Sequence, residues 1–561
     1  MPRLLYAIPF LLTVVCGNLT ARESPMVKTK YGELEGERVE STEGRKVDAF
    51  LGIPYAKPPI GDLRFKKPQS PDRWEGIRSA KSFGNVCMQP VFFPSLNATK
   101  IDEDCLFLNV ITPAWAPPDP SGFPVMMWIY GGAFYLGSSV EYGYRGLAKG
   151  LVAEGVIVVT INYRLGLWGF LSTGDDVCPG NLGLWDQTKA LEWIHDTIGQ
   201  FNGDSSRVTV FGISAGGAST DFLTLSPHSQ NLFDRAIPMA GTASAIWAMN
   251  PSVAEHTKEL AAQLDCVTSP SEAMIECLHN KSNADITSAL MKLGQDYNRL
   301  SFFRFTPVID GDFLPHPVTI MRQNAPKKSV ITGMAEVEGI TFVIMLAPLH
   351  KFGVTDKISM ETFDVFLNSS LPKESYKNAE LLHELAKHQY LTDGDTHNST
   401  YLLLKYSQMM GDFLQVVPTY RDVQDMLQNN WTVHSYSFDY ANPASFSPGT
   451  RLRIPTHGVE LLYFFGEPVY ASFQYDDIDE SLMKKVTAMW AQFAKTKDPN
   501  LPQNELKWPA VSGNQSNTLV IKEQPEIRVG YHQQSIAFWT KLVPTVENFE
   551  LCDDPSTKPS L

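Results

Sequence analysis

The chain of 561 residues lacks the proline-, serine- or glycine-rich stretches that separate domains, and no segment repeats another. Its length alone would suggest about three or four domains of typical size. Because no shift in composition divides the chain, we instead expect one domain over residues 18–545 and a short C-terminal tail over residues 546–561. A domain of that length can bury a large hydrophobic core.

Long apolar runs are also missing. After the N-terminus no window of about 18 uncharged apolar residues occurs, so the sequence predicts no transmembrane anchor. The N-terminus itself carries Arg3, a short apolar run from Leu4 to Cys16, and Gly17. This pattern is typical of a secretory signal peptide, so we expect residues 1–17 to be removed and the protein to be secreted. The C-terminus shows neither a K-D-E-L-type retrieval signal nor a GPI-type tail.

Positive charge is scarce. Lysine and arginine number 47 against 61 aspartate and glutamate residues, which gives a net charge of −14. Nucleic acids and anionic membranes are therefore poor candidate partners. With 43% hydrophobic and 19% charged residues, the composition is that of a globular protein and excludes a disordered chain.

Cysteines are few, and six of the seven follow the predicted signal peptide. In an oxidising compartment most of them should pair. Pairing Cys87 with Cys105, and Cys266 with Cys277, would close two short loops. Cys178 and Cys552 then remain, and the sequence leaves open whether they pair with each other, stay reduced or bridge to another chain.

Seven N-x-S/T sequons accompany the signal peptide and predict a glycoprotein, although chance supplies several in a chain of this length. Their asparagines are Asn18, Asn97, Asn280, Asn368, Asn398, Asn430 and Asn514.

The strongest chemical motif is the run Val208–Gly217, in which a β-branched segment ends in G-x-S-x-G around Ser214. This is the form of a nucleophile elbow, a tight turn between a strand and a helix. Glycines two residues either side allow the turn, which exposes the serine hydroxyl and aims the N–H of Ala215 at the same point. The alternative is an ordinary glycine-rich turn, since the pentapeptide also occurs by chance.

Alternating strand and helix patterns surround this motif. Continuous apolar runs at Val125–Tyr130 and Ile157–Ile161 are typical of strands buried on both faces. A helix pattern follows Gly180, and further strands are predicted at Arg235–Met239, Ser329–Thr332 and Thr432–Phe438. Strands that alternate with helices predict an α/β fold with a mainly parallel sheet.

Two segments resemble a known family. Glu103-Asp104-Cys105-Leu106-Phe107-Leu108-Asn109-Val110 is similar to one signature of the type-B carboxylesterases, which include the cholinesterases, and Phe201–Gly216 is similar to the other. The resemblance covers about residues 25–545. It implies an α/β-hydrolase domain whose helical insertions wall a substrate gorge. It also implies two structural ion pairs, Arg64 with Glu103 and Arg164 with Asp186.

A serine nucleophile needs a base, and the base needs an acid that orients it. In α/β-hydrolases the chain order is serine, acid, histidine. Among 12 histidines, His457 lies in an H-G-x-E segment that resembles the catalytic-histidine loop of the family. Two glutamates, Glu336 and Glu338, follow a predicted strand, and the residues alone do not separate them. The family places its acid directly before a glycine, which favours Glu338.

An oxyanion hole needs two or three converging N–H donors. Ala215 supplies one, and the resemblance assigns the others to Gly132 and Ala133, in the loop that follows the strand Val125–Tyr130. The family often carries a third glycine where this chain has Ala133. The N–H is retained, so we expect only a narrower approach to the site.

These features predict a secreted serine carboxylesterase that hydrolyses small-molecule esters through an acyl-Ser214 intermediate, with no metal or cofactor. Ile213 stands where the family usually carries glutamate, which favours neutral over choline esters. An aromatic cluster is formed by Phe302, Phe303 and Phe305. It resembles an aromatic acyl pocket that favours small acyl groups, and the alternative is ordinary packing in the core. Three alternatives remain: a non-catalytic, neuroligin-like adhesion module, a cholinesterase, and a lipase that acts at interfaces.

Overall fold

The computed structural model describes residues 24–90, 100–296, 300–346, 358–392, 394–466, 473–513 and 517–548. The predicted signal peptide, the end of the predicted tail, and the residues Asn18, Asn97, Asn514 and Cys552 lie outside these ranges, so those predictions stay predictions.

The described residues form one sheet of 11 strands and one of three. In the larger sheet the strand order is β14-β13-β12-β11-β10-β9-β7-β8-β6-β4-β3, and the smaller is β1-β2-β5. The strands are β1 (Met26–Lys28), β2 (Glu33–Glu35), β3 (Glu37–Glu40), β4 (Lys46–Pro54), β5 (Ile77–Ser79), β6 (Phe107–Pro113), β7 (Phe123–Ile129), β8 (Ile157–Ile161), β9 (Gly203–Ile213), β10 (Arg235–Met239), β11 (Ser329–Ala335), β12 (Thr432–Phe438), β13 (Asn517–Ile521) and β14 (Glu526–Val529).

The centre of the large sheet is parallel. From β8 through β7, β9, β10, β11 and β12 to β13 every neighbouring pair is parallel, whereas the pairs at both edges are antiparallel. All residues of β7 and β8 are buried. Because successive side chains of a strand point to opposite faces, both faces of the sheet are covered there. The predicted α/β fold with a mainly parallel sheet is therefore confirmed.

Helices occupy most connections between the parallel strands. They are α1 (Arg145–Lys149), α2 (Gly166–Phe170), α3 (Leu182–Thr197), α4 (Ala215–Leu225), α5 (Val253–Gln263), α6 (Ser271–His279), α7 (Asn283–Leu293), α8 (Val318–Asn324), α9 (Gly339–Leu346), α10 (Met360–Ser370), α11 (Ala379–Leu391), α12 (Ser399–Gly411), α13 (Val417–Gln428), α14 (Leu461–Phe465), α15 (Asp477–Thr496), α16 (Gln533–Ala537) and α17 (Val543–Glu547). Two π-helical segments, Asp412–Val416 and Phe538–Leu542, join α12 to α13 and α16 to α17.

Buried ion pairs and disulfides hold distant segments together. Arg164 donates through Nε and Nη2 to the two carboxylate oxygens of Asp186, at 2.8 and 2.7 Å, and both side chains are buried. Arg64 contacts Glu103 in the same two-pronged way. Removing one partner from such a buried pair costs about 3–5 kcal/mol. These are the two pairs that the resemblance implies, and their place is structural.

Disulfide bonds join Cys87 to Cys105 and Cys266 to Cys277. Cys178 is a buried free thiol. Burial raises the pKa of the Cys178 thiol to about 12, so the thiol is protonated and unreactive at neutral pH.

Four of the predicted glycosylation asparagines lie within the described ranges and are exposed: Asn280, Asn368, Asn398 and Asn430. None of the helices in the described ranges is both long enough and apolar enough to cross a bilayer.

Candidate active site

Ser214 stands at the sharp turn between β9 and α4. Its backbone has φ 58° and ψ −123°, a conformation that L residues rarely adopt and that costs about 1–3 kcal/mol. Glycine at position 216 is required here, since a Cβ there would lie 2.1 Å from the carbonyl oxygen of Ile129. The end of β7 therefore packs directly on the first turn of α4.

Backbone hydrogen bonds hold the strained turn. The Ser214 N–H donates to the carbonyl oxygen of Met239 at 2.9 Å, which ties the elbow to the end of β10. The Ser214 carbonyl oxygen accepts from the N–H of Ala218 at 2.8 Å. The nucleophile predicted from the sequence is thus fixed from both sides, and its side chain is half-buried.

Glu338 lies in the turn that follows β11, directly before α9. One carboxylate oxygen, Oε1, accepts from the Ala335 N–H at 2.8 Å, and Oε2 contacts Nδ1 of His457. Its side chain is 1% exposed. Glu336, the other candidate, is exposed, and the structure gives it no contact with His457. The geometry therefore favours Glu338.

His457 comes from the loop after β12. The N–H of Val337 donates to the carbonyl oxygen of Pro455 at 3.1 Å, which holds this loop against the turn of Glu338. The ring of Phe342 lies 5.7 Å from the imidazole, between centroids. Because Nδ1 donates to the carboxylate, Nε2 is the nitrogen that can accept a proton.

The charge around His457 favours its protonated form. Burial lowers the pKa of the imidazole, but the Glu338 carboxylate, through its charge and hydrogen bond, and the charge of Glu460 outweigh burial and raise it above the ordinary value of 6.5. A base whose pKa is raised holds a proton more firmly once it has taken one.

Glu460 was not predicted as a site residue, although it stands in the same H-G-x-E segment as His457. Its side chain is fully buried, Oε1 accepts from the Tyr436 hydroxyl at 3.3 Å, and Oε2 has no hydrogen-bond partner. Burial, followed by the charge of Glu338, raises the pKa of Glu460 to about 7. Glu460 is visible in the sequence as the last residue of the H-G-x-E segment. The segment alone does not show that the carboxylates of Glu460 and Glu338 are buried close together.

The elbow and the loop of His457 lie at the same end of the parallel strands. Strands β9, β10, β11 and β12 are parallel neighbours, so the segments after β9, β11 and β12 all begin at the carboxyl ends of these strands. Among the described residues no hydrogen bond joins the Ser214 hydroxyl to His457. Such bonds are often long in an empty site and shorten when substrate binds.

The glycine loop after β7 lies against the nucleophile. A Cβ at Gly131 would come within 2.9 Å of the Ser214 Cβ. The next two residues have left-handed backbones, with φ 113° at Gly132 and 58° at Ala133. In the part of the chain that is described, the N–H groups of Gly132, Ala133 and Ala215 donate to no protein acceptor. The three predicted oxyanion donors are therefore available to a ligand.

Ile213 and the phenylalanine cluster are buried. Ile213 ends β9 directly beside the elbow. Phe302 and Phe303 pack ring against ring with centroids 4.4 Å apart, and Asn250 fixes their backbone by donating to the Ser301 and Phe303 carbonyl oxygens. Within the described ranges, no group of three or more histidine, cysteine, aspartate and glutamate side chains could hold a metal ion.

The sequence pattern of the carboxylesterase family matches residues 23–539. The chain belongs to the carboxylesterase family. The predicted resemblance is thereby confirmed, and with it the α/β-hydrolase fold.

Relatives of this carboxylesterase chain carry two kinds of name. Esterase cest-33 of Caenorhabditis elegans is 35% identical over 509 residues, 88% of this chain and 90% of that protein. Gut esterase 1 of Caenorhabditis briggsae is 32% identical over 550 residues, 95% of each protein. Neuroligin-2 of Mus musculus is 32% identical over 594 residues, 95% of this chain and 69% of neuroligin-2. Because the sequence identity to the esterases and to neuroligin-2 is similar, it does not decide between an esterase and a neuroligin-like function.

Proposed function

We propose that the protein is a serine carboxylesterase in which Ser214 is the nucleophile, His457 the general base and Glu338 the acid that orients it. The observation that carries this proposal is the contact of the buried Glu338 carboxylate with His457 Nδ1. This contact lies at the carboxyl ends of the parallel strands, where the elbow also places Ser214. Family membership and relatives named as esterases support the same activity.

The chemistry follows from these positions. The Ser214 hydroxyl attacks the ester carbonyl carbon, and its proton passes to Nε2 of His457. Negative charge develops on the carbonyl oxygen, where the N–H groups of Gly132, Ala133 and Ala215 stabilise it. Glu338 stabilises the imidazolium without taking the proton itself.

Loss of the alcohol and hydrolysis of the acyl-enzyme then complete the cycle. The tetrahedral species collapses, the bond to the alcohol oxygen breaks, and the alcohol leaves with the proton from His457. A water molecule then attacks the carbonyl carbon of acyl-Ser214, with His457 again as base. The bond between this carbon and Ser214 Oγ breaks, the carboxylic acid leaves, and Ser214 recovers its proton from His457. Every atom and proton is supplied by the ester, by water and by the three side chains.

We assign neutral esters as the preferred substrates because of Ile213. A carboxylate at this buried position beside the nucleophile would attract a cationic alcohol group by about 1–4 kcal/mol, depending on the local dielectric. Isoleucine offers an apolar wall instead, and Ile213 is buried against the elbow.

We also infer that the protein is secreted and glycosylated. Its two disulfides suit an oxidising compartment, and the four sequons that lie in the described ranges are exposed. N-terminal sequencing of protein from culture medium should begin near residue 18. A protein retained in cells with its first 17 residues attached would contradict secretion.

The alternative is a non-catalytic adhesion module, which similarity to neuroligin-2 favours. A fluorophosphonate probe separates the two functions because it bonds only to an activated serine. We expect labelling of the wild type and of Ser121→Ala, a surface control, and none of Ser214→Ala. An unlabelled wild-type protein, or labelling that survives Ser214→Ala, would refute the esterase.

A further inference from the structure

The loop after β10, residues 240–248, begins against the proposed nucleophile. We call it the β10 loop. A Cβ at Gly241 would lie 2.0 Å from the carbonyl oxygen of Ser214, so the two backbones are in direct contact. The N–H of Ala240 donates to the carbonyl oxygen of Gly333 at 2.7 Å and ties the start of the loop to β11. The β10 loop therefore leaves the sheet beside the elbow.

The end of the β10 loop reaches the surroundings of the proposed base. The buried ring of Trp247 lies 6.4 Å from the ring of Phe342, and Phe342 lies 5.7 Å from the imidazole of His457, both between centroids. The indole N–H of Trp247 donates to the carbonyl oxygen of Leu414 at 3.1 Å, which fixes this ring. A displacement of the loop would therefore act on the positions of both Ser214 and His457.

Two carboxyl groups hold the middle of the β10 loop, and they come from different helices. Asp221 of α4 accepts from the N–H of Ala243 at 3.0 Å. Asp422 of α13 accepts from the Ser244 hydroxyl at 2.6 Å and, through its other oxygen, from the Ser244 N–H at 3.4 Å. The bonds to these neighbouring residues of the loop therefore depend on the distance between α4 and α13.

One buried cation serves both carboxyl groups. Nη2 of Arg322, on α8, donates to the two oxygens of Asp221 at 3.0 Å each and to Asp422 at 3.3 Å. All three side chains are at most 2% exposed. The ring of Trp431 lies 5.4 Å from the guanidinium group. Two buried carboxylates beside one positive charge would leave a negative charge without compensation, which the interior of a protein strongly disfavours.

A shared proton removes this excess of charge. The carboxyl groups of Asp221 and Asp422 lie within hydrogen-bonding reach of each other, and such a bond requires a proton on one of them. Burial, opposed by the charge of Arg322 and reinforced by that of Asp221, raises the pKa of Asp422 to about 8. Asp425, on the same helix as Asp422, adds a further negative charge near Arg322. The shared proton therefore belongs to Asp422 at neutral pH.

We propose that Asp422, by sharing its proton with Asp221, positions the β10 loop, and that loss of this proton at alkaline pH releases the loop and slows ester hydrolysis. Without the proton the two carboxylates repel each other, which favours a larger separation of α4 and α13. A larger separation stretches the bonds to Ala243 and Ser244.

The role assigned to Asp422 is indirect. Within the described ranges no hydrogen bond joins Asp422 to the three proposed catalytic side chains, so it is a positioning residue. The effect on hydrolysis rests on the proposed esterase function, whereas the movement of the β10 loop does not. The two parts of the proposal are therefore tested separately.

The pH dependence of kcat/KM tests the effect on hydrolysis, with a neutral alkyl ester and titration of the released acid. Above the pH range in which His457 loses its proton, the wild type should show a second inflection near pH 8. The decrease there should be about threefold to tenfold, the factor that corresponds to one lost hydrogen bond. Asp422→Asn keeps a donor towards Asp221 at every pH and should lack this inflection. Asp425→Asn, on the same helix, is the matched control and should retain it.

Deuterium exchange of the β10 loop tests its movement without reference to catalysis. Exchange is compared at about pH 6.5 and about pH 9, on either side of the pKa of Asp422, after correction for the intrinsic rates of an unstructured peptide. In the wild type and in Asp425→Asn, protection of the loop should be about threefold to tenfold lower at the higher pH. Ser214→Ala should respond like the wild type, and Asp422→Asn should not respond.

Unchanged protection of the β10 loop in the wild type, or a loss with pH that persists in Asp422→Asn, would overturn the proposal. An active wild type without the second inflection would overturn the link to hydrolysis. An inactive wild type whose loop responds as expected would refute the esterase function alone. If Asp422→Asn does not unfold cooperatively in urea, Ser244→Ala takes its place. Removal of this hydroxyl should lower the protection at pH 6.5 and make the change with pH smaller.

Discussion

The N–H of Val337 donates to the carbonyl oxygen of Pro455 and so joins the loop of the proposed acid to the loop of the proposed base. Glu338 and His457 are 119 residues apart in sequence, and each follows a different strand. Their relative position therefore depends on this backbone contact as well as on the side-chain bond. A substitution that removes only the carboxylate charge should leave both loops in place.

We expect Glu338→Gln to lower kcat by about 10³–10⁴-fold, by analogy with the same kind of exchange in a serine protease triad. An amide presents the wrong partner to Nδ1 and cannot stabilise the imidazolium. Glu336→Gln is the matched control, since Glu336 is exposed, and it should keep kcat within about twofold of the wild type. Steady-state hydrolysis of a nitrophenyl ester measures both. Equal losses in the two variants would contradict the choice of Glu338.

The pH profile should report the raised pKa of His457. The base must be neutral, so kcat/KM falls as the pH drops through this pKa, and the inflection should lie above 6.5. Glu460 contributes to the raised value, so Glu460→Gln should move the inflection to lower pH. Glu336→Gln should leave it in place. An inflection that moves upward in Glu460→Gln would show that the sign of this interaction is wrong.

Ile213→Glu should shift the preference towards cationic esters. The new carboxylate would lie beside the elbow, where it attracts a quaternary ammonium group by about 1–4 kcal/mol. The measurement compares kcat/KM for an acetylcholine-type ester and its uncharged isostere, at low and high salt. The wild type should favour the uncharged ester or treat both alike. A wild-type preference for the charged ester that persists at high salt would make the protein a cholinesterase.

A buried carboxylate pair should make stability depend on pH. Arg322 donates to Asp221 and Asp422, and the Ser244 hydroxyl donates to Asp422 at 2.6 Å. Burial, which the charge of Arg322 opposes and that of Asp221 reinforces, raises the pKa of Asp422 to about 8. The folded protein thus keeps a proton that the unfolded chain, with a pKa near 3.8, releases.

This contribution to stability is fully present below about pH 4 and is lost as the pH rises towards 8, by about 1.4 kcal/mol per pH unit. Asp422→Asn resembles the protonated form and should abolish that part of the slope. Urea unfolding at several pH values measures it, with Asp425→Asn on the same helix as the control. An unchanged slope in Asp422→Asn would show that Asp422 is ionised in the folded protein.

The disulfide Cys87–Cys105 should contribute about 3 kcal/mol to the free energy of unfolding, since it closes a loop of 18 residues. The double variant Cys87→Ala/Cys105→Ala should therefore unfold at lower urea concentration. Cys178→Ala removes a buried thiol and no cross-link, and should lose less. A double variant as stable as the wild type would mean that the reduced, unfolded chain already restricts this loop.

The centre of the sheet could be predicted from the sequence, and its edges could not. Ile157–Ile161 has the predicted bounds, because a parallel strand buried on both faces is a nearly continuous apolar run. Arg235–Met239 and Thr432–Phe438 also have the predicted bounds, although their sequences, RAIPM and TVHSYSF, include polar residues. β3 and β14, with the sequences ERVE and EIRV, were missed. Edge strands carry charged side chains that blunt further pairing, so neither apolar runs nor clean alternation marks them.

The candidate site shows the same division. Ser214 and His457 stand in local motifs, so single segments of sequence identify them. The burial of Glu460 near Glu338 depends on two segments, the turn after β11 and the loop after β12, that only the fold brings together.

Ser214 follows β9, the sixth of the 11 strands and therefore the middle of the large sheet. Its N–H donates to the carbonyl oxygen of Met239, at the end of the neighbouring strand β10. Fraying that begins at β3 or β14 must pass four or more strands before it reaches this bond. The amide of Ser214 should therefore exchange with deuterium only when the whole sheet opens. On heating, activity should be lost only when the whole sheet unfolds. A protein in which only the edge strands have unfolded should still hold Ser214 in place.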